Sequence, residues 1–258
     1  MDRLDIVIAT VASLIGLASL AAAREWPGGL HVLHTWRRLE PYVGCYVRRS
    51  PATFVYIGII FVTTWVVAGL GPKQSGALLR SQSTNLSNLR THPIDVVFRS
   101  AFWSGQNTIL PVIALLALVL APAEVWLGTA RMIAVFAAGH VGATLVTAVA
   151  ISDGYLGSAG DQGVTRSIDV GVSYGTLCLA AVLVYRLPRH WRLPLAGALL
   201  FVCALFAFVI GRTFTDFGHF VSVVIGLAIY PIVRSASVAQ RARIPMYRPW
   251  LPAAELDA

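Results

Sequence analysis

Seven stretches of this chain run for roughly 16 to 21 residues without an Asp, Glu, Lys or Arg: 6–23, 51–70, 100–120, 132–151, 170–185, 193–210 and 217–233. About 30 Å of hydrocarbon at 1.5 Å rise per residue needs about 20 apolar residues, so runs of this length are membrane-crossing helices. They are continuous rather than alternating, which excludes barrel strands.

Composition agrees. Charged residues make up 12% and hydrophobic ones 57% of the chain, with a mean hydropathy of +0.71. Soluble domains carry about 25% charged residues, so half of the usual solvating surface is missing. The net charge of +8 comes almost wholly from arginine, Lys73 being the only lysine. Those arginines lie between apolar runs rather than on one polar face, which argues against a nucleic-acid partner. Cys45, Cys178 and Cys203 are far apart and show no CxxC spacing, so no disulfide framework, metal site or cofactor is expected. The first run follows Met1-Asp2-Arg3-Leu4-Asp5, which is net negative. A signal peptide wants a positive start, so an uncleaved extra helix is the expectation.

Arginine placement sets the expected orientation, because positively charged loops stay cytoplasmic. Arg24, Arg37, Arg38, Arg48 and Arg49 precede the second run; Arg186, Arg189 and Arg192 separate the fifth and sixth; Arg234, Arg241, Arg243 and Arg248 follow the seventh. All three groups fall on one side if every run crosses. The chain is therefore expected to be a multi-pass protein of the inner or plasma membrane with a cytoplasmic C-terminus. The expected division is an extra N-terminal helix and basic linker over 1–50, a helical core over 51–234 and a basic tail over 235–258.

Polar residues inside the runs are costly and mark chemistry. Gly171-Val172-Ser173-Tyr174-Gly175 opens the fifth run, Asp216-Phe217-Gly218-His219 opens the seventh, and His140 lies within the fourth. Ser173 and His219 both fall roughly 5 Å inside the same boundary, so they can meet. A serine hydroxyl becomes a nucleophile when a base within hydrogen-bond reach takes its proton, and neutral His219 is such a base. Gly218, Ser222 and Gly226 form a small-residue stripe, and Gly171 and Gly175 are expected to offer the matching face on the fifth helix. Asp169 and Asp216 are expected to cap the two helix starts. His140 falls about 10 Å deeper, where a structural hydrogen bond is the expectation. Pro111 is the expected kink of the third run.

These residues together resemble the rhomboid intramembrane serine proteases. The Gly-Val-Ser-Tyr motif is similar to the family's GxSG, and His219 with its small-residue stripe to the family's base-bearing helix. Ser100-Ala101-Phe102, Gly105, Glu124 and Gly128 add to the resemblance, which covers roughly 50–235. It implies an all-α, polytopic bundle: a rhomboid-like six-helix core plus one extra N-terminal helix, in a divergent branch whose Ala- and Arg-rich composition suits a high-GC bacterium. It also implies a Ser173–His219 dyad acting on transmembrane protein substrates in the lipid bilayer. The family's two oxyanion donors align with Ile109 and Ile113, which cannot donate, leaving Gln106 and Asn107 as oxyanion candidates. Tyr174 replaces the glycine that follows the nucleophile. A catalytically inactive rhomboid-like protein that binds or scaffolds membrane partners is the alternative. A transporter is a weaker third reading, since mid-membrane positions beyond His140 are nearly bare.

Overall fold

The computed structural model describes residues 27–104, 109–153, 168–170, 172–242 and 250–251, together with residues 13, 16, 17, 20 and 24. The run 6–23 therefore lies largely outside the described residues. Among those described, regular structure is helical throughout, with no strand. The chain divides into two compact units, Met1–Pro51 with Ile244–Ala258, and Ala52–Arg243.

The first unit carries α1 (Pro27–Arg49). Its Cys45 thiol lies 3.5 Å from the Leu251 carbonyl, and Tyr46 packs against Trp250 at a ring separation of 4.3 Å.

The second unit holds α2 (Pro51–Ala68), the short helices α3 (Pro72–Ser81), α4 (Leu86–Thr91) and α5 (Pro93–Ser100), then α6 (Ile109–Leu127) and α7 (Thr129–Ser152). After these come α8 (Ser173–Leu183), which tightens into a last turn at Val184–Arg186, α9 (Arg189–Leu205), which widens into a π turn over Phe206–Ile210, α10 (Phe214–Val233) and α11 (Ala236–Arg241). Among the described residues, five helices are long and apolar enough to cross a membrane: α2, α6, α7, α9 with its π turn, and α10. The fifth expected run, 170–185, corresponds to a shorter apolar helix, Ser173–Arg186.

Sidedness within the bundle follows the rule for lipid-facing helices. On α2 the buried face carries Thr53, Ile57, Ile60 and Thr64, while Val55, Val62 and Trp65 are exposed. The hydroxyl-bearing Thr53 and Thr64 face protein together with Ile57 and Ile60, while the exposed side is bulky and apolar. A buried carboxylate fixes one end of the bundle: Glu124 accepts hydrogen bonds from the Ala52 and Thr53 amides, the Thr53 hydroxyl and the Thr129 hydroxyl. It thereby satisfies amides that the first turn of α2 leaves unpaired. The chain then turns into α7 through Gly128, whose φ of 88° suits glycine. Nearby, Arg241 donates to the Trp126 and Leu127 carbonyls, placing a cation on the free C-terminal carbonyls of α6.

The third run and the 71–99 stretch differ from the sequence reading. The third run does not begin its crossing at Ser100, which instead ends α5. The Tyr56 and Thr63 hydroxyls of α2 donate to the Ala101 and Phe102 carbonyls, taking up groups a continuing helix would have used. The crossing helix starts at Ile109, so Pro111 falls in its first turn, where a missing N–H costs nothing, and produces no mid-helix kink. Fold-back of 71–99 into three short helices was also not expected. Pro72 and Pro93 each open one of them, the position where proline's fixed φ favours a helix.

Candidate functional site

The two helices that carry the candidate dyad pack closely because glycine removes what would separate them. A Cβ built at Gly226 would sit 2.3 Å from the Cys178 carbonyl oxygen of α8, and one at Gly218 would sit 2.3 Å from the Tyr174 ring. Ser222, between them, is fully buried. Gly218, Ser222 and Gly226 thus act as the stripe the spacing indicated. The matching face on α8 differs from expectation: it is Tyr174, Cys178 and Ala181 that meet α10. Gly175 turns away toward α7, where an added Cβ would lie 2.5 Å from the Phe136 ring. One residue of helix rotates a side chain by about 100°, so Tyr174 and Gly175 cannot serve the same neighbour. Gly171 lies outside the described residues.

Ser173 is the first residue of α8, rather than three residues inside it. Its helix has no side-chain cap at Val172, and the first α-helical bond is Thr176 N–H to the Val172 carbonyl, at 3.1 Å. The Ser173, Tyr174 and Gly175 amides consequently have no partner within the helix. Across from it, α10 begins at Phe214, capped by Thr213: the Asp216 amide donates to the Thr213 hydroxyl at 3.1 Å, and the Thr213 amide to the Asp216 carboxylate at 3.2 Å. Asp216 is therefore a capping residue, as its position suggested. His219 follows one turn deeper and is half-buried, with Nε2 2.9 Å from the Ser173 Oγ.

Tyr174 holds this arrangement from the side. Its ring is buried in the notch left by Gly218 and meets the His219 ring edge-on, with centroids 5.4 Å apart at 79°. Its hydroxyl donates to Asp169 at 3.2 Å. Asp169 does not cap α8, contrary to expectation. Its carboxylate accepts from Tyr174 and from the Thr84 hydroxyl, at 3.0 Å, and its amide donates to the Ser83 hydroxyl at 2.6 Å. The carbonyl of Asp169 accepts from the Thr84 amide at 2.9 Å. Burial pushes the Asp169 carboxyl above its usual range, against hydrogen bonds from Thr84, Tyr174 and Thr215 that pull it down. This clamp from 83–84 through Asp169 to Tyr174 had no signal in spacing, because its members are some 85 residues apart in sequence.

The deeper histidine has a different setting. His140 Nε2 lies 3.1 Å from the Ser100 Oγ and 3.0 Å from the Val97 carbonyl oxygen, and both His140 and Ser100 are buried. It is bound to α5, its ring lies 6.4 Å from that of Tyr174, and its hydrogen-bond partners are Ser100 and Val97 rather than Ser173. Ile109 is buried at the start of α6, and Ile113 lies one turn on. Gln106 and Asn107 lie outside the described residues. Among the described residues, no cluster of His, Cys, Asp and Glu could hold a metal ion.

No curated protein and no solved structure matches the chain. A family model described as "Rhomboid-like protein" matches residues 45–239, about three quarters of the sequence and the whole stretch from α2 to α10. A helical membrane bundle in which that match takes in both Ser173 and His219 leaves one assignment: the chain belongs to the rhomboid-like family.

Proposed function

We propose that the chain is an intramembrane serine protease in which Ser173 is the nucleophile and His219 the general base, cleaving transmembrane or membrane-adjacent protein substrates. The observation that carries the reading is the 2.9 Å contact between Ser173 Oγ and His219 Nε2 at the start of α8. In the step it supports, Nε2 takes the hydroxyl proton as Oγ attacks the scissile carbonyl carbon. The imidazolium then returns that proton to the leaving amine, and water repeats the sequence to release the acyl group. His219 must hold its own proton on Nδ1 for this, so that Nε2 presents a lone pair.

Negative charge develops on the carbonyl oxygen, and the unpaired Ser173 and Tyr174 amides are suited to meet it. Gln106 and Asn107 are the proposed side-chain donors. Losing one oxyanion donor costs about 2.7 to 4 kcal/mol of transition-state stabilisation, so Ile109 and Ile113 favour a slow enzyme. The same two residues favour the second reading, a rhomboid-like protein that has kept its dyad but binds membrane partners without cleaving them. The arginine distribution supports an outer-face site with the C-terminus in the cytoplasm.

The test is covalent labelling of the purified chain by a fluorophosphonate, which reports nucleophilicity without the natural substrate. Labelling that vanishes in Ser173→Ala and in His219→Ala is the expected result, and weaker labelling in Gln106→Ala or Asn107→Ala would identify the side-chain donor. Absence of labelling in the unmodified protein would favour the binding reading.

A further inference from the structure

Helix α1 is built differently from the crossing helices that follow it. It contains Arg37, Arg38, Arg48 and Arg49 against a single acid, Glu40, and is too polar to cross a bilayer. Its apolar residues are nevertheless ordered: Val32, Trp36, Leu39, Val43 and Val47 recur at intervals of three and four residues. At about 100° per residue these five fall within roughly 80° of arc. Arg37 and Arg48 flank that stripe on one side and Arg38 and Arg49 on the other, each roughly 120–140° from its centre.

The stripe is open, with Val32, Trp36 and Leu39 each about half exposed and Val43 and Val47 more than a third exposed. The helix's own unit touches it beside the stripe, not on it: Cys45, roughly 160° from the stripe centre, meets Leu251, and Tyr46, roughly 60° from it, packs on Trp250. Covalent continuity fixes where the helix starts and stops. Arg49 is separated by Ser50 alone from Pro51, the first residue of a membrane-crossing helix. One end of α1 is therefore tethered at a membrane boundary.

We propose that α1 lies flat in the headgroup layer of an anionic lipid leaflet, with the Val32, Trp36, Leu39, Val43 and Val47 stripe in the acyl boundary and the four arginines on lipid phosphates. An ordered apolar face with low overall hydrophobicity, a tryptophan within it and arginines along its flanks is the composition of an interfacial helix, not of a spanning one. Charge decides between this occupant and a second copy of the chain. Pairing two α1 helices would bring together eight arginines and two acids, whereas an anionic surface neutralises them. The consequence is a membrane anchor on the stretch of chain directly before the first crossing helix, independent of any chemistry at Ser173.

The experiment uses the full chain reconstituted into vesicles, with a spin label on a single added cysteine. The unmodified protein, whose three cysteines are buried, serves as the blank. Leu39→Cys and Val43→Cys report the stripe, and Arg38→Cys and Arg49→Cys the polar side. In vesicles containing phosphatidylglycerol, the ratio of oxygen to water-soluble nickel accessibility should be several-fold higher at 39 and 43 than at 38 and 49. That contrast should shrink in pure phosphatidylcholine, and also when the remaining arginines of α1 are changed to glutamine. Stripe labels as open to nickel as the polar ones would overturn the proposal, since α1 would then project into water. Stripe labels shielded from both reagents would overturn it in favour of a protein contact. A contrast unchanged by lipid charge and by the arginine substitutions would remove the anionic headgroup as the partner.

Discussion

Among the described residues, two serine–histidine pairs lie at nearly the same separation, 3.1 Å for Ser100 with His140 and 2.9 Å for Ser173 with His219. Distance does not distinguish them; their remaining contacts do. His140 Nε2 also faces the Val97 carbonyl, which can only accept, so that nitrogen carries the hydrogen and has no lone pair for Ser100. Ser100 for its part donates to the same carbonyl at 3.1 Å. The pair is a clasp between α5 and α7. At His219 no carbonyl competes for Nε2 among the described residues, and the serine opens a helix whose first amides are unpaired. A nucleophile is recognised by what its base is free to accept, and by what waits for the charge that follows.

The sharpest way to break this comparison is to exchange the serines. Ser173→Ala should eliminate fluorophosphonate labelling, whereas Ser100→Ala should keep it. Residual labelling of Ser173→Ala that disappears in the Ser100→Ala double variant would show that the buried pair is the reactive one.

Substitutions at the histidines and glycines should separate stability from reactivity. His140→Ala removes the ring that contacts buried Ser100 and the half-buried Val97 carbonyl, which keep their own hydrogen bond, and should destabilise by about 0.5–1.5 kcal/mol in reversible unfolding for the hydrogen bond lost. Labelling per folded molecule should not change. Gly218→Ala forces a methyl group into the Tyr174 ring that lies against His219, and overpacking of this kind costs about 1–3 kcal/mol. Its labelling rate should fall beyond what lost folding explains. The control is Gly142→Ala, whose Cβ would lie 2.7 Å from the end of the Ile225 side chain with no atom of Tyr174, Ser173 or His219 within 4 Å; its rate per folded molecule should be retained. Equal rate losses in both glycine variants would mean that Tyr174 does not position His219.

The same contrast marks what could be read in the residues alone. Apolar runs report crossing helices because lipid imposes a length, and the 217–233 run, its stripe and Ser173 opposite His219 were all legible from that length and a period of about 3.6 residues. Helix starts were less legible: the seventh helix begins at Phe214 rather than Phe217, because Thr213 and Asp216 cap each other ahead of the apolar run. The third start was misread because the groups that end α5 come from Tyr56 and Thr63, some 40 residues earlier. Ser100 as the partner of His140, Glu124 as the cap of α2 and Asp169 as the anchor of Tyr174 are likewise tertiary contacts, on which neither period nor spacing bears. The direction of Tyr174, which stands where the resemblance expects a glycine, is also set by packing: it points into the Gly218 notch.

The smallest effect tests whether the dyad's surroundings titrate. Asp169 reaches His219 through Tyr174, and burial holds its carboxyl above the ordinary value of 3.8. The sign follows from linkage. Below that ordinary value the carboxyl is protonated in both folded and unfolded chains, so its ionisation contributes nothing. As pH rises from there through the raised folded value, the unfolded chain releases the proton first, and folding stability falls across that window. An asparagine in its place cannot ionise, and the amide oxygen still accepts from Tyr174. The difference in melting temperature, Asp169→Asn minus unmodified protein, should therefore grow more positive between about pH 4 and pH 7. A difference that moves the other way would mean that Asp169 is held ionised by its three donors, with its value lowered rather than raised. In that case the Tyr174 hydroxyl would be anchored by a full charge, and Tyr174→Phe would be the more damaging change at neutral pH, since hydrogen bonds to charged groups contribute about 1.5–3 kcal/mol.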